Sequence, residues 1–218
     1  MNSINWSTVK VVSWDIDGTF YDLKAFMGAL KKDLLVRAFT FRWFSLVRDV
    51  YRLVRFKRHM DWVRHHSPDF AVGNLAGRDH ICETMEDIYA RLLPDIGLLP
   101  GVVDLLDWID SQGVTQIVFS DYRKSSKLKA LGLNGRFEKV FAGEDRGHLK
   151  PSPTAFKAIL DDLNVQPETF LHIGDRTDTD GAASESVGYQ VAIIGSNFET
   201  ASDLLALLRA QAADSSKN

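Results

Sequence analysis

The strongest constraint on the fold is an alternation between short apolar segments and amphipathic helical stretches. The apolar segments are KVVSWD (10–15), VTQIVFS (114–120), TFLHIG (169–174) and QVAIIG (190–195), each the length of a buried strand. GVVDLLDWIDSQG (101–113) and SPTAFKAILDDLNV (152–165) have the 3.6-residue period of helices. Strands that alternate with helices predict an α/β fold, a doubly wound parallel sheet with helices on both faces.

A long segment interrupts this alternation after the first strand. Residues 22–98 contain no convincing strand and two helical patterns, the second over 79–92, with a loop at 65–79 between them. The first pattern has an apolar stripe formed by Phe39, Trp43, Leu46, Val50 and Leu53. The sequence therefore predicts an α/β core domain over 1–21 and 99–218, with an all-helical domain inserted at 22–98.

The composition restricts the class of protein. The 218 residues carry 26 Lys and Arg against 29 Asp and Glu, a formal net charge of −3, which argues against a nucleic-acid binder. A single cysteine excludes an internal disulfide. The first residues lack the pattern of a signal peptide, and no apolar run is long enough to span a bilayer. We therefore expect a soluble cytoplasmic protein without stable membrane insertion.

The charge is unevenly distributed along the chain. Between Lys31 and His66 ten Lys and Arg residues stand against three Asp, whereas the rest of the chain carries 16 basic and 26 acidic residues. A basic helix of this kind can steer an anionic substrate, rest on a membrane surface, or present a solvated basic face while its apolar stripe packs inside. The last arrangement is the ordinary one, and we expect it here.

Polar residues follow the predicted strands at the point where each strand ends. DIDGT (15–19) follows the first strand, Ser120 ends the second, and GDRTDTD (174–180) overlaps the end of the third. The carboxyl ends of parallel strands share one edge of the sheet, where ligands bind, and Lys150 joins them from just before a predicted helix. The candidate site therefore consists of Asp15, Asp17, Ser120, Lys150, Asp175 and Asp180.

Such a site needs a cation besides the lysine. Two like charges about 4 Å apart repel by roughly 4 kcal/mol at an effective dielectric near 20. Several carboxylates around one lysine therefore favour a bound metal, and oxygen ligands without histidine or cysteine favour Mg²⁺. A metal with open coordination positions in turn favours a phosphate as the substrate group.

The two aspartates of DIDGT can divide a phosphoryl transfer between them, because residues two apart at a strand end project to the same side. Asp15 could attack phosphorus and form an aspartyl-phosphate. Asp17 could protonate the leaving oxygen and then take a proton from the attacking water. The groups that could hold the phosphoryl oxygens are Thr19, Ser120 and Lys150.

The ordered set DIDGT, Ser120, KPSP (150–153) and GDRTDTD resembles the haloacid dehalogenase superfamily, in its phosphatase branch. The resemblance spans the core and implies a Rossmann-like fold, a Mg²⁺ cofactor and a small phosphorylated substrate. It also implies that the helical insertion is the mobile cap with which family members close the site and select substrates.

The resemblance assigns roles to the carboxylates. It implies that Asp15 is the nucleophile, and that Asp17 is the general acid/base with its backbone carbonyl on the metal. Asp175 is implied to be a direct metal ligand, with Asp180 in the outer coordination sphere. Because the dehalogenase branch lacks the second aspartate, Asp17 favours phosphoryl transfer.

Several alternatives stay open at this point. A phosphotransferase or phosphomutase would use the same residues, and a non-catalytic protein would keep the fold for binding alone. Asp121 stands where the family commonly has asparagine, and it could cap the next helix or point into the site. His172 lies inside a strand and is expected to be a core histidine. The identity of the substrate and the oligomeric state do not follow from the sequence.

Overall fold

The fold is built on a five-stranded parallel sheet. It is seen in a computed structural model that describes residues 4–39, 46–55, 58, 78–121, 125–146 and 148–215. The strand order is β3-β2-β1-β4-β5, so β1, which leads into DIDGT, is central. The strands are β1 (Val11–Trp14), β2 (Thr115–Ser120), β3 (Lys139–Ala142), β4 (Phe170–Gly174) and β5 (Gln190–Ile193).

Helices connect the strands. In the described part of the chain, none of them combines the length and the apolar composition that crossing a bilayer requires. The helices are α1 (Leu23–Phe39), α2 (46–55), α3 (Arg78–Ile96), α4 (Val102–Ser111), α5 (Ser125–Ala130), α6 (Pro153–Leu163), α7 (Ala182–Val187) and α8 (Ala201–Ser215).

Alternating side chains of the strands separate two apolar cores. Val12 and Val118 belong to a core that includes residues of α4 and α8, whereas Val11 and Ile117 belong to a second core with residues of α6 and α7. Helices therefore cover both faces of the sheet. This arrangement confirms the predicted doubly wound, Rossmann-like α/β fold.

The predicted elements of the core lie close to their observed positions. β1, β2, β4 and β5 fall inside the four apolar segments, and α4 and α6 inside the two helical patterns. The hydroxyl of Ser152 accepts a hydrogen bond from the backbone N–H of Thr154 at 3.2 Å, so it caps α6 as expected. β3 was not predicted. Its first two residues, Lys139 and Val140, are exposed at the edge of the sheet, so the segment lacks a buried apolar run.

Within 22–98, the described residues have helices as their only regular structure. The chain leaves and re-enters the core at neighbouring points, since the N–H of Leu99 donates to the carbonyl of Phe20 at 2.8 Å. This hydrogen bond is consistent with an insertion at this position. The exact limits, 22 and 98, stay a prediction.

The apolar stripe of the insertion does not pack as expected. Leu53 contacts the larger core, but 83% of Phe39 and 39% of Val50 is exposed. Inward packing of these two residues was therefore a wrong prediction. For Val50 the reason is that α2 turns Asp49 inward, where Asp49 forms ion pairs with Arg37 and Arg48. Trp43 and nearly all of the loop at 65–79 lie outside the described residues.

Candidate active site

The candidate residues meet at the carboxyl edge of the sheet. Trp14, the last residue of β1, pairs with Val118 of β2 and Ile173 of β4. Asp15 and Asp175 therefore directly follow two neighbouring strands. The N–H of Asp15 donates to the carbonyl of Ile173 at 2.8 Å. The segments that follow β1 and β4 therefore meet at this edge of the sheet.

Three carboxylates form a compact cluster. One oxygen from each of Asp15, Asp175 and Asp180 lies within 4.8 Å of the others. Asp180 is 1% exposed and Asp15 7%, so water cannot fully screen their repulsion. Oxygen donors at this spacing suit a hard divalent cation such as Mg²⁺.

Lys150 is the cation that the structure places in this cluster. Its ammonium donates to Asp15, and to Oδ1 of Asp180 at 2.7 Å, while only 4% of the residue is exposed. Burial disfavours the charged amine, but the two carboxylates outweigh that effect and raise the pKa of Lys150. The side chain is therefore a fixed positive charge beside Asp15.

The carboxylates differ in how readily they ionise. Burial raises the pKa of Asp15 despite the opposing charge of Lys150, and burial with the nearby Asp180 raises the pKa of Asp175 to about 6. Burial would also raise the pKa of Asp180, but Lys150 and a hydrogen bond from His172 hold it well below its usual range. Ionisation of Asp15 and Asp175 therefore costs free energy, and a bound divalent cation would offset that cost.

Gly18 fits the DIDGT turn against the carboxylate cluster. Its φ is +81°, in the left-handed region, and a Cβ there would overlap the carboxylate of Asp175. A larger residue would therefore strain the backbone and displace Asp175.

Asp17 is held by two residues that sequence reasoning missed. Oδ1 of Asp17 accepts from the hydroxyl of Tyr21 and from the ammonium of Lys127. Lys127, in α5, is completely buried and lies 4.2 Å from the ring centroid of Tyr89 in α3. The sequence offered little signal for Lys127, because it is one of three lysines within six residues, 124–129.

His172 is the buried strand histidine that the sequence predicted, but it also touches the site. Nδ1 is 2.8 Å from the hydroxyl of Ser13, and Nε2 is 3.1 Å from Oδ1 of Asp180. Burial lowers the pKa of His172. A neutral imidazole that donates from Nε2 would keep Asp180 oriented.

The two candidate hydroxyl groups are both buried. Ser120 is 4% exposed at the end of β2, and Thr19 is 1% exposed in the turn after β1. Oγ1 of Thr19 has no hydrogen-bond partner within the described part of the chain. Its hydroxyl is thus available to a ligand that reaches it.

Asp121 points inward. Its Oδ1 accepts a hydrogen bond from the backbone N–H of Lys150 at 2.8 Å. The next helix, α5, is described from Ser125 onwards. The side chain therefore ties the end of β2 to the loop that carries Lys150. Its charge also contributes to the raised pKa of Lys150.

Fold and site together define an α/β protein with an aspartate cluster and a buried lysine at the carboxyl edge of its sheet. Residues 9–188 match the family model described as haloacid dehalogenase-like hydrolase. The chain belongs to this family.

Three known proteins illustrate the relationship. The chain is 34% identical to phosphoglycolate phosphatase of Aquifex aeolicus, over 43% of this chain and 45% of that protein. It is 24% identical to ribulose-1,5-bisphosphate 5-phosphatase of Halopiger xanaduensis, over 51% of this chain and 48% of that protein. These matches span about half the length of each relative. The solved structure of a HAD phosphatase from Thermococcus onnurineus superimposes with a TM-score of 0.64 at 21% identity, over 92% of this chain and 98% of that one, and shows the same fold.

Proposed function

We propose that this protein is a Mg²⁺-dependent phosphatase that hydrolyses a small phosphorylated metabolite through an aspartyl-phosphate on Asp15. The observation that carries the proposal is the contact of Lys150 with both Asp15 and Asp180 beside Asp175. A buried cation next to a buried carboxylate is suited to receive the negative oxygens of a phosphoryl group.

The reaction would proceed in two displacements. In the first, a carboxylate oxygen of Asp15 forms a bond to phosphorus, the bond to the leaving oxygen breaks, and Asp17 donates a proton to that oxygen. In the second, Asp17 takes a proton from a water molecule, the water oxygen forms a bond to phosphorus, and the bond between phosphorus and the Asp15 oxygen breaks. Phosphate and the Asp15 carboxylate are released. The phosphoryl oxygens would bind Thr19, Ser120 and Lys150.

The residues present fit a magnesium ion. We expect Asp15, Asp175 and the backbone carbonyl of Asp17 to bind it, with Asp180 behind them, bound to Lys150 and His172. When bound, the ion would neutralise charge on the phosphoryl group and on the carboxylates.

We further propose that the helical insertion acts as the cap of the site. In support, Tyr89 of α3 contacts Lys127, and the carboxylate of Glu86 accepts from the N–H of Ser126 at 3.0 Å. Lys127 in turn forms an ion pair with Asp17, so it links the insertion to that residue of the site. The cap would exclude water and select the part of the substrate that carries the phosphate.

The class of substrate is proposed from the relatives. Two of the relatives are phosphatases named after phosphoglycolate and ribulose-1,5-bisphosphate. Both compounds are small phosphorylated metabolites. The cytoplasmic location and the lack of nucleic-acid partners stay predictions from the sequence.

The proposal is tested with a panel of phosphorylated metabolites and Mg²⁺ on the wild-type protein, Asp15→Asn and the control Asp104→Asn, which changes an exposed residue of α4. We expect release of phosphate by the wild type and the control, none by Asp15→Asn, and a phosphoryl adduct on Asp15 after acid quenching. Activity that survives Asp15→Asn would exclude the covalent route. Faster transfer to an added alcohol than to water would identify a phosphotransferase instead.

A further inference from the structure

A buried polar pair lies beside the apolar core that faces α6 and α7. Ser13 of β1 and His172 of β4 are neighbours on the same face of the sheet, because they are paired in the strand register. Both are completely buried, and the imidazole makes a T-shaped contact with the ring of Phe156, with centroids 5.2 Å apart. Polar groups among aromatic rings cost free energy unless they are hydrogen-bonded, so the partners of this pair decide whether it can remain there.

The pair is part of a line of hydrogen bonds that runs from the sheet to the candidate site. Oγ of Ser13 lies 2.8 Å from Nδ1 of His172, and Nε2 of the same ring lies 3.1 Å from Oδ1 of Asp180. That carboxylate oxygen also accepts from the ammonium of Lys150 at 2.7 Å. Lys150 in turn donates to Asp15. Ser13 is thus connected to the proposed nucleophile through three buried side chains.

The direction of these hydrogen bonds follows from Asp180. This residue forms an ion pair with Lys150 and is therefore a carboxylate, which can only accept hydrogen bonds. Nε2 of His172 must then carry the proton of the hydrogen bond to Oδ1. Burial lowers the pKa of His172 and keeps the ring neutral, so Nδ1 is an acceptor and the hydroxyl of Ser13 is its donor. Ser13 thus favours the tautomer of His172 that can hold Asp180.

The second oxygen of Asp180 is held by the turn after β4. Oδ2 accepts from the backbone N–H of Arg176 at 3.3 Å, and the hydroxyl of Thr179 lies 3.5 Å from it. The turn therefore fixes the carboxylate from one side, and His172 fixes it from the sheet. With both oxygens bound, the carboxylate cannot rotate without breaking hydrogen bonds in the interior. The ammonium of Lys150, which shares Oδ1 with His172, is held in place by the same arrangement.

We propose that Ser13 and His172 are positioning residues that orient Asp180 and, through it, Lys150. In this role neither side chain contacts the substrate, and the pair holds the carboxylate that keeps the ammonium beside Asp15. Groups that orient the ligands of a reacting centre from behind typically contribute about ten- to a hundredfold to activity. The effect on turnover rests on the proposed phosphatase function, whereas the orientation of Asp180 can be measured without a substrate.

The test begins with nuclear magnetic resonance of the full chain, without Mg²⁺ and without substrate. Labelling of histidine with ¹⁵N shows which ring nitrogen of His172 carries the proton. The backbone N–H resonance of Arg176 reports the position of Asp180, because this group donates to Oδ2. The values of kcat and KM are then measured with Mg²⁺ on a compound from which the wild type releases phosphate.

Three variants and one control separate orientation from stability. Ser13→Ala removes the donor to Nδ1, His172→Phe keeps an aromatic ring in the core without either hydrogen bond, and His172→Gln keeps a donor for Asp180. The control is Tyr189→Phe, which removes another buried hydrogen bond from the same core, donated by the hydroxyl of Tyr189 to the carbonyl of Phe156 at 2.7 Å. Circular dichroism checks that each variant is folded, and Ser13→Ala decides the test if His172→Phe is not.

We expect the proton on Nε2 in the wild type, and a shift of the Arg176 resonance in Ser13→Ala and His172→Phe but not in Tyr189→Phe. The kcat should fall about tenfold in Ser13→Ala and about a hundredfold in His172→Phe, and His172→Gln should retain most of it. A proton on Nδ1, or changes in Ser13→Ala and His172→Phe no larger than in the control, would overturn the proposal. If the wild type releases no phosphate from any compound, the proposed function is wrong, and the two resonance measurements decide the positioning role.

Discussion

Lys127 connects the helical insertion with the residue that we propose as the general acid/base. It is completely buried, and its ammonium bonds to Asp17 while lying over the ring of Tyr89. A buried lysine costs free energy unless a partner compensates it, so its position indicates that the contact with Asp17 is strongly favoured. We regard Lys127 as a residue that positions Asp17.

Replacement of Lys127 by methionine should therefore reduce turnover more than substrate binding. A positioned acid/base contributes about 10²- to 10⁴-fold to the rate, and we expect Lys127→Met to lose roughly ten- to a hundredfold of kcat with little change in KM. Lys129→Met, on the exposed side of the same helix, is the control and should keep its kcat. Equal kcat values for Lys127→Met and the wild type would disprove the positioning role.

The turn after β1 and the end of β4 are fitted to each other through Gly18. The positive φ of this glycine and the carboxylate of Asp175 leave no room for a Cβ. This contact joins two segments that lie more than 150 residues apart in the chain. Neither segment could therefore change its backbone without moving a carboxylate of the cluster.

Gly18→Ala tests this contact between elements. The left-handed backbone alone should cost about 1–2 kcal/mol of stability, and displacement of Asp175 by about 1 Å should lower kcat about a hundredfold. Gly132→Ala is the control, since Gly132 has a φ of +74° and a Cβ added there would meet no other atom within 4 Å. Gly132→Ala should lower the free energy of unfolding by a similar amount and leave kcat unchanged. Equal effects of the two substitutions on kcat would contradict the fit.

The stability of the whole molecule should depend on pH and on the metal together. Asp15 and Asp175 have raised pKa values in the folded protein, so the folded state binds more protons than the unfolded one above about pH 4. Their contribution to the free energy of unfolding therefore falls as the pH rises, for Asp175 mainly up to about pH 6. The pKa of Asp180 is lowered, so this residue adds to the free energy of unfolding at higher pH. That contribution is lost as the pH falls below about 4.

Mg²⁺ should consequently raise the melting temperature more at pH 8 than at pH 5, because bound carboxylates must be deprotonated. Thermal unfolding at both pH values, with and without Mg²⁺, measures this difference. Asp175→Asn should reduce the effect of Mg²⁺ at pH 8, whereas Asp104→Asn should not. A shift of the same size at both pH values would contradict the proposed metal site.

The core of the fold and most of the proposed site were predictable from local patterns. Buried strands are visible as apolar runs, and the residues that follow them, such as Asp15 and Asp175, share one edge because parallel strands place their carboxyl ends together. β3 escaped prediction since an edge strand with Lys139 and Val140 exposed has no such run.

What the amino-acid order specified was the alternation of strands and helices and the set of polar groups at the strand ends, because both depend on neighbours in the chain. What only the folded chain decided was which distant groups meet. The contact of Lys127 with Asp17, the turn of Asp121 towards Lys150, and the exposed position of Val50 depend on packing between separate elements. A pattern within one helix cannot specify that packing, since the same amphipathic stripe can face a core or a partner.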